Sequence, residues 1–156
     1  MTAYIHLLID GIKGESAHDK HKDEIEVESW TFGVTQPVSF SGSGLSGGKA
    51  DVSHLTISKS MDKASPNLWM YCAKGKHLDK VVLTQRRSGD GSIELVKFTL
   101  KDAMIAGVHK SGANGSGPRE TVDIAFTSVE YDYTPQKPDG KADGVVSGKY
   151  DFKAHK

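Results

Sequence analysis

The chain has 156 residues, 37% hydrophobic and 26% charged, a balance that points away from both a disordered tail and a membrane protein. Lys plus Arg number 20 and Asp plus Glu number 20, so the formal net charge is zero. No Lys/Arg cluster is longer than Arg86-Arg87, which argues against nucleic-acid binding, and the neutral balance leaves little self-repulsion to oppose self-association.

In chain order, residues 4–9 form a short apolar run stopped by Asp10-Gly11, which predicts a strand buried on both faces. Residues 24–34 alternate with a change of phase: Ile25 and Val27 are apolar first, then Trp30, Phe32 and Val34. A period-two strand changes face only by gaining a residue or by crossing between sheets, so a bulge or bend is expected near Glu28-Ser29. Residues 121–133 behave alike, with Val122, Ile124 and Phe126 giving way to Val129, Tyr131 and Tyr133. Two such strands predict a mainly β fold, an antiparallel β-barrel or bent two-sheet barrel. Further strands are predicted over 52–60, 80–87, 93–104 (or on to 109) and 145–152, with a hairpin connection at Ser88 to Ser92. One short α-helix is predicted over 65–74, with Ser65 as N-cap, Pro66 at N1 and Gly75 at C′. Leu68, Trp69 and Cys72 fall on one face of it, as a lid over an apolar opening. The whole of residues 1–156 reads as one domain.

Residues 39–49, 111–119 and 135–144 read as mobile loops. The first is rich in Gly and Ser yet carries Phe40 and Leu45. Isolated apolar residues on such an arm either fold back onto their own barrel or dock onto another surface.

Several motifs are tempting and fail on context. Gly42 to Gly47 satisfies G-x-G-x-x-G and Gly44 to Gly48 satisfies G-x-S-x-G, but both need a following helix, and the alternation from Val52 onward predicts a strand. Gly48-Lys49 is not a P-loop, since Ser43 and Ala50 stand where Gly and a hydroxyl are required. His18-Asp19-Lys20-His21-Lys22-Asp23-Glu24 is the best metal or acid/base candidate, but the spacing of His18 and His21 is poor for zinc and a solvated charged loop is the simpler reading. Cys72, the only cysteine, reads as a buried small hydrophobe, and one thiol makes no intramolecular disulfide. No catalytic set, cofactor site or metal site is assigned. The N-terminal residues lack a basic region and a cleavage site, so synthesis in the cytoplasm and any export without a cleaved signal are expected, with no membrane insertion.

A wider pattern remains. Asp10-Gly-Ile-Lys-Gly-Glu-Ser16, a His/charged loop, Glu24-Ile-Glu-Val27 and Ser29-Trp-Thr-Phe-Gly33 resemble the opening of the haemolysin-coregulated proteins, Hcp. The resemblance continues through the Gly/Ser loop, Ser65-Pro-Asn-Leu68, Cys72, Gly75-Lys-His77 and Tyr131-Asp-Tyr-Thr-Pro-Gln-Lys137, covering essentially the whole chain in order. It implies a tail-tube subunit of bacterial type VI secretion, similar in fold to phage tail-tube proteins. The subunit would close into homohexameric rings that stack into a hollow tube inside a contractile sheath, with a VgrG-type spike, baseplate proteins and secreted effectors as partners. It would be held in the cytoplasm and then expelled into a neighbouring cell. The chain ends soon after Tyr150-Asp-Phe152, so a fused toxin of the kind long Hcp variants carry is not expected.

On that reading Phe40 and Leu45, with Gly44 and Gly47 of the same arm, are the candidate ring or stacking contacts. Thr31, between Trp30 and Phe32, projects from the opposite face of its strand and is the candidate channel-wall residue. Two other readings stay open: a monomeric ligand- or glycan-binding barrel with Trp30, Trp69 and Tyr131 at its mouth, and a small hydrolase built on His18, His21 and Asp23.

Overall fold

Why the apolar phase changes is visible in the pairing of the strands. A computed structural model describes residues 4–87 and 93–156. Its elements are β1 (Ile5–Ile9), β2 (Ile25–Val27), β3 (Ser29–Thr31), β4 (Val34–Thr35), β5 (Val38–Ser41), β6 (Gly44–Gly47), β7 (Asp51–Val52), β8 (Leu55–Ser60), α1 (Ser65–Lys74), β9 (His77–Arg86), β10 (Glu94–Ala113), β11 (Ser116–Tyr133) and β12 (Val146–Asp151). The main sheet is antiparallel in the order β2-β1-β9-β10-β11-β8-β3, and β12 also pairs with β11. β2 and β3 are two halves of one run. The first half pairs with β1 (Ile5↔Val27) and the second with β8 (Trp30↔Ile57). Between them the Glu28 N–H donates to the Ser58 carbonyl at 2.9 Å. One run therefore stitches the two ends of the sheet together, and the result is a nearly closed barrel with one short helix. The expected bend at Glu28-Ser29 is that crossing point.

A second change of phase runs across three neighbouring strands. Buried residues switch parity between Leu78 and Val81 on β9, between Leu100 and Ala103 on β10, and between Ile124 and Val129 on β11. The β10–β11 register does not slip there, because Lys101 faces Ser128 and Ala103 faces Phe126. The strands bend together along one line. Asp102, with φ 51, marks it, and the Thr127 hydroxyl lies 3.3 Å from both the Lys101 carbonyl and the Asp102 carboxylate. Both sides of the bend feed one core that includes Leu7, Ile25, Leu55, Leu83, Leu100 and Ile124. Each such side chain contributes about 1.5–3 kcal/mol by its burial.

α1 closes one end of this barrel through Ala64 and Leu68, with Tyr71 and Cys72 packed beside them. Ala64, not Ser65, holds the N-cap position, and no side chain caps the helix. Ser65 is diverted because a buried carboxylate competes for its hydroxyl: Oγ donates to Glu120 and accepts the Asp62 N–H at 3.0 Å. Gly75 ends the helix in the left-handed conformation at φ 61, as its sequence position predicts. Trp69 is 56% exposed, so it does not share the buried face with Leu68.

Beneath the helix the side chains of Lys59 and Glu120 point inward in the same parity as Ile57 and Val122. Lys59 Nζ donates to Glu120 Oε2 at 2.5 Å, Asp62 Oδ1 at 3.0 Å and Ser65 Oγ at 3.4 Å. Lys110 donates to the other Glu120 oxygen at 3.0 Å. Burial works to raise the Glu120 carboxyl, but the hydrogen bonds from Lys59, Ser65 and Lys110 outweigh it and hold it below the ordinary carboxylate range.

Other expectations are corrected. Leu8 is 43% exposed, so β1 is not buried on both faces; its second face buries His6 instead. Val34 leaves the apolar set of Trp30 and Phe32 and stands exposed in β4. Residues 111–119 are not a loose loop but the paired tip of the long β10–β11 hairpin, with Ser111 opposite Arg119 and Ala113 opposite Ser116. β9 starts three residues before the predicted Lys80, at His77. The hairpin expected at Ser88 to Ser92 lies outside the described residues.

Candidate assembly surfaces

The arm of residues 33–53 is a ribbon that leaves the barrel between β3 and β8. At its base the Ser53 N–H donates to the Gly33 carbonyl at 2.8 Å, and the Gly33 N–H donates to Ser53 Oγ at 2.9 Å. β4 then pairs with β7, and β5 with β6, placing Phe40 directly opposite Leu45 and Ser41 opposite Gly44. The Gly/Ser stretch read as a mobile loop thus holds a hairpin. Gly44 turns the chain at φ 120, which an L side chain resists. Gly47 lies against Gln36, whose side chain a Cβ would meet at 3.0 Å, while Gln36 Oε1 accepts the Gly48 N–H at 2.6 Å. Phe40 is 85% and Leu45 65% exposed, and Val38 beside them is exposed too. They do not fold back onto their own barrel. An isolated two-stranded hairpin is marginal in water, and this one leaves its apolar side chains exposed.

A second surface lies on the outside of β3, β8 and β11. Trp30 and Phe32 pack against the core, where their rings meet Phe98 edge-on at 5.0 and 5.2 Å, and Thr31 between them is exposed. Its neighbours across the sheet are Thr56 and then Asp123; the next outward row is Ser29, Ser58 and Thr121. The Thr56 hydroxyl donates to Asp123 Oδ1 at 2.7 Å. These two rows are short-chained, and hydroxylic apart from the Asp123 carboxylate.

A third surface is where the barrel stays open. Tyr131 and Tyr133 have the inward parity of buried Val129, yet they are 46% and 44% exposed. Tyr131 packs on Phe98 at 4.8 Å and faces Gly148 on β12, which has no side chain to cover it. Val145 and Val146 beside it are exposed as well.

These positions bear on the other two readings. Trp30 donates from Nε1 to Gln85 at 2.9 Å and with Tyr131 belongs to the aromatic cluster about Phe98, whereas Trp69 stands apart on α1; the trio does not line one mouth. His21 is buried, not part of a solvated loop, and its ring nitrogens each lie 3.0 Å from a carboxylate, Glu24 and Glu94 rather than Asp23. Asp23 is a turn residue at φ 63. Among the described residues no group of His, Cys, Asp and Glu has a geometry that would hold a metal ion. Sequence reasoning missed Glu94 and His6, which reach this cluster from distant strands and give no local signal.

Comparison with known proteins places these surfaces in a family context. Residues 6–133 match the family model described as "Type VI secretion system effector, Hcp". The chain is 37% identical over 147 residues to "Protein hcp1" of Pseudomonas aeruginosa, covering 92% of this chain and 91% of that one. Among solved structures, one described as a type six secretion system protein superposes with a TM-score of 0.93 at 28% identity over 99% of both chains. Hcp1 from Salmonella typhimurium superposes with a TM-score of 0.82 at 40% identity, covering 97% of this chain and 96% of that one.

Proposed function

Because this chain belongs to the Hcp family of type VI secretion, a structural and non-enzymatic family, we propose that it is a tube subunit that works through contacts among its own copies. Six copies close into a ring, and rings stack into a hollow conduit that is expelled from the cell with its effectors, alongside the spike, sheath and baseplate proteins. The observation that carries this reading is the arm. It presents Phe40, Leu45 and Val38 to solvent while the barrel leaves Tyr131, Tyr133 and Val146 open on another flank. A protruding apolar hairpin and an uncovered apolar flank on one chain form a head-to-tail pair of surfaces. Such contacts close into rings, or extend as filaments where the rotation does not close. Phe40 and Leu45 act as anchors on the neighbouring subunit or ring, and Gly44 and Gly47 hold the hairpin that presents them. Thr31 and its hydroxyl-rich rows form channel wall, a surface that passes cargo without holding it by apolar contact.

Light scattering on the purified protein tests the reading. A mass near six times the 16.8 kDa of one chain is expected, with annular particles in electron micrographs. A single-chain mass at every concentration overturns it.

A further inference from the structure

The segment joining β1 to β2 folds back over the outer face of β1 and β9. It is held together by its own backbone: Gly14 N–H to Asp23 O at 2.8 Å, Ser16 N–H to Glu24 O at 3.1 Å and Asp23 N–H to Ser16 O at 2.9 Å. In doing so it brings His18 and His21 onto His6 of β1, which is 1% exposed. The His6 and His21 rings are nearly parallel, 5° apart with centroids at 4.7 Å; His18 stands 5.7 Å from His6 and 5.4 Å from His21.

Each ring has different polar surroundings. His21 has a carboxylate 3.0 Å from each ring nitrogen, Glu24 from the segment and Glu94 from β10. His18 Nδ1 accepts the Lys20 N–H at 3.3 Å, which a protonated nitrogen cannot do. His6 Nδ1 is buried with no hydrogen-bond partner among the described residues, so a proton placed there meets no acceptor. The remaining charges about the rings are Arg86 of β9, Asp19 and Lys20.

We propose that the His6–His18–His21 stack is an acid-sensitive latch, which holds residues 13–24 on the outer face of β1 and β9 at neutral pH and releases them on acidification. One charge in the stack is matched by two carboxylates. A second, on buried His6, sets a cation face to face with the His21 ring and near Arg86, where burial denies it the water that would screen it. The direction agrees with the proton affinities: burial first, then His21, Arg86 and His18, lowers His6 from 6.5 to about 4, and His18 is also lowered, by desolvation, Arg86 and His21. Release returns His6 and His18 to ordinary affinity, so at these two sites the released state binds more protons than the latched one. The latch is therefore fully favoured above 6.5 and weakens as pH falls towards 4.

Hydrogen exchange on the assembled protein tests this, corrected for the intrinsic effect of pH on exchange. Between about pH 7.5 and about pH 5, peptides from residues 13–24 are expected to lose roughly tenfold in protection while the β10–β11 hairpin does not change. His6→Phe keeps an aromatic ring in the stack and removes its proton site; His18→Gln keeps an acceptor for Lys20 without titrating. Each is expected to cut the loss at least about threefold. Should His6→Phe fail to fold, nuclear magnetic resonance titration of His6 in the unaltered chain decides, with titration below about pH 5 expected. Protection of 13–24 that stays flat across the range, a loss of equal size in both variants, or an ordinary His6 titration near 6.5 overturns the proposal.

Discussion

At the end of the barrel beneath α1, Lys59 and Glu120 are buried and each finds partners for its charge; on the arm, Phe40 and Leu45 stand opposite one another in solvent. Both places break the rule that apolar side chains go in and charged ones stay out. They break it for opposite reasons. The first is a charge made tolerable inside by complete hydrogen bonding: three acceptors for the three protons of the Lys59 ammonium, and donors on both Glu120 oxygens. The second is an apolar surface left outside, which on the proposed function meets another copy of the chain. The first should govern the stability of the chain and the second its assembly, and substitutions can separate the two.

The largest effect is expected at the buried pair. Glu120→Ala leaves Lys59 inside the barrel with only Asp62 for a counter-charge, and a loss of about 3–5 kcal/mol in denaturant unfolding is expected. Replacing both, Lys59→Met with Glu120→Leu, removes the stranded charge, and most of that loss should return. A double variant no more stable than Glu120→Ala would show that the network acts through the helix start at Ser65 and not through charge balance. The same site sets an acid limit. Because the native Glu120 carboxyl is held below its ordinary 4.5, the unfolded chain takes up the proton first, so the stability it contributes is present above 4.5 and is lost as pH falls below it. In Glu120→Gln that acid limb of the stability curve should flatten, as measured by unfolding across the pH range.

A smaller effect is expected at Gly14. A Cβ there would meet the Glu24 carbonyl oxygen at 2.4 Å and Ile25 Cα at 2.7 Å, both rigid backbone. Gly14→Ala should cost about 1–3 kcal/mol and raise exchange in residues 13–24 at neutral pH, opening that segment by steric force where acid opens it by charge. Exchange unchanged from the parent chain would mean that the segment is held by its side chains alone.

How much of this was legible in the sequence follows from the range of each interaction. The phase changes at Glu28-Ser29 and along residues 121–133 are local patterns, and the structure turns both into bends that close the barrel. The helix end at Gly75 is local too. Its start was misread because the Ser65 hydroxyl is claimed by Glu120, 55 residues away, and no neighbour of Ser65 announces that. The histidine cluster failed for the same reason: His18 and His21 lie three residues apart in one loop, but His6 and Glu94, which complete the cluster, come from β1 and β10. The pairing of the 39–49 stretch was hidden behind its Gly and Ser content. What that stretch did show was its anomaly, two apolar side chains on a polar arm.

The smallest effect on the single chain is expected at that anomaly. Phe40→Ser with Leu45→Ser removes apolar surface that is already in water, so unfolding of the chain should shift by no more than about 0.5 kcal/mol. The turn at Gly44 and the backbone pairing of β5 with β6 are kept, so the arm retains its shape. The ring or the stack should nevertheless weaken, because a fully buried Phe or Leu contributes about 1.5–3 kcal/mol at a contact and each is repeated in every copy. Sedimentation at a series of concentrations would read this as a shift towards smaller species. Deletion of residues 41–48 should do the same more severely. Thr31→Trp, on the hydroxyl-rich face, should leave both stability and assembly alone and slow the passage of cargo only. If the paired serines leave the mass distribution unchanged, the arm is ornament to assembly, and the contacts between copies must be sought on the open flank of Tyr131, Tyr133 and Val146.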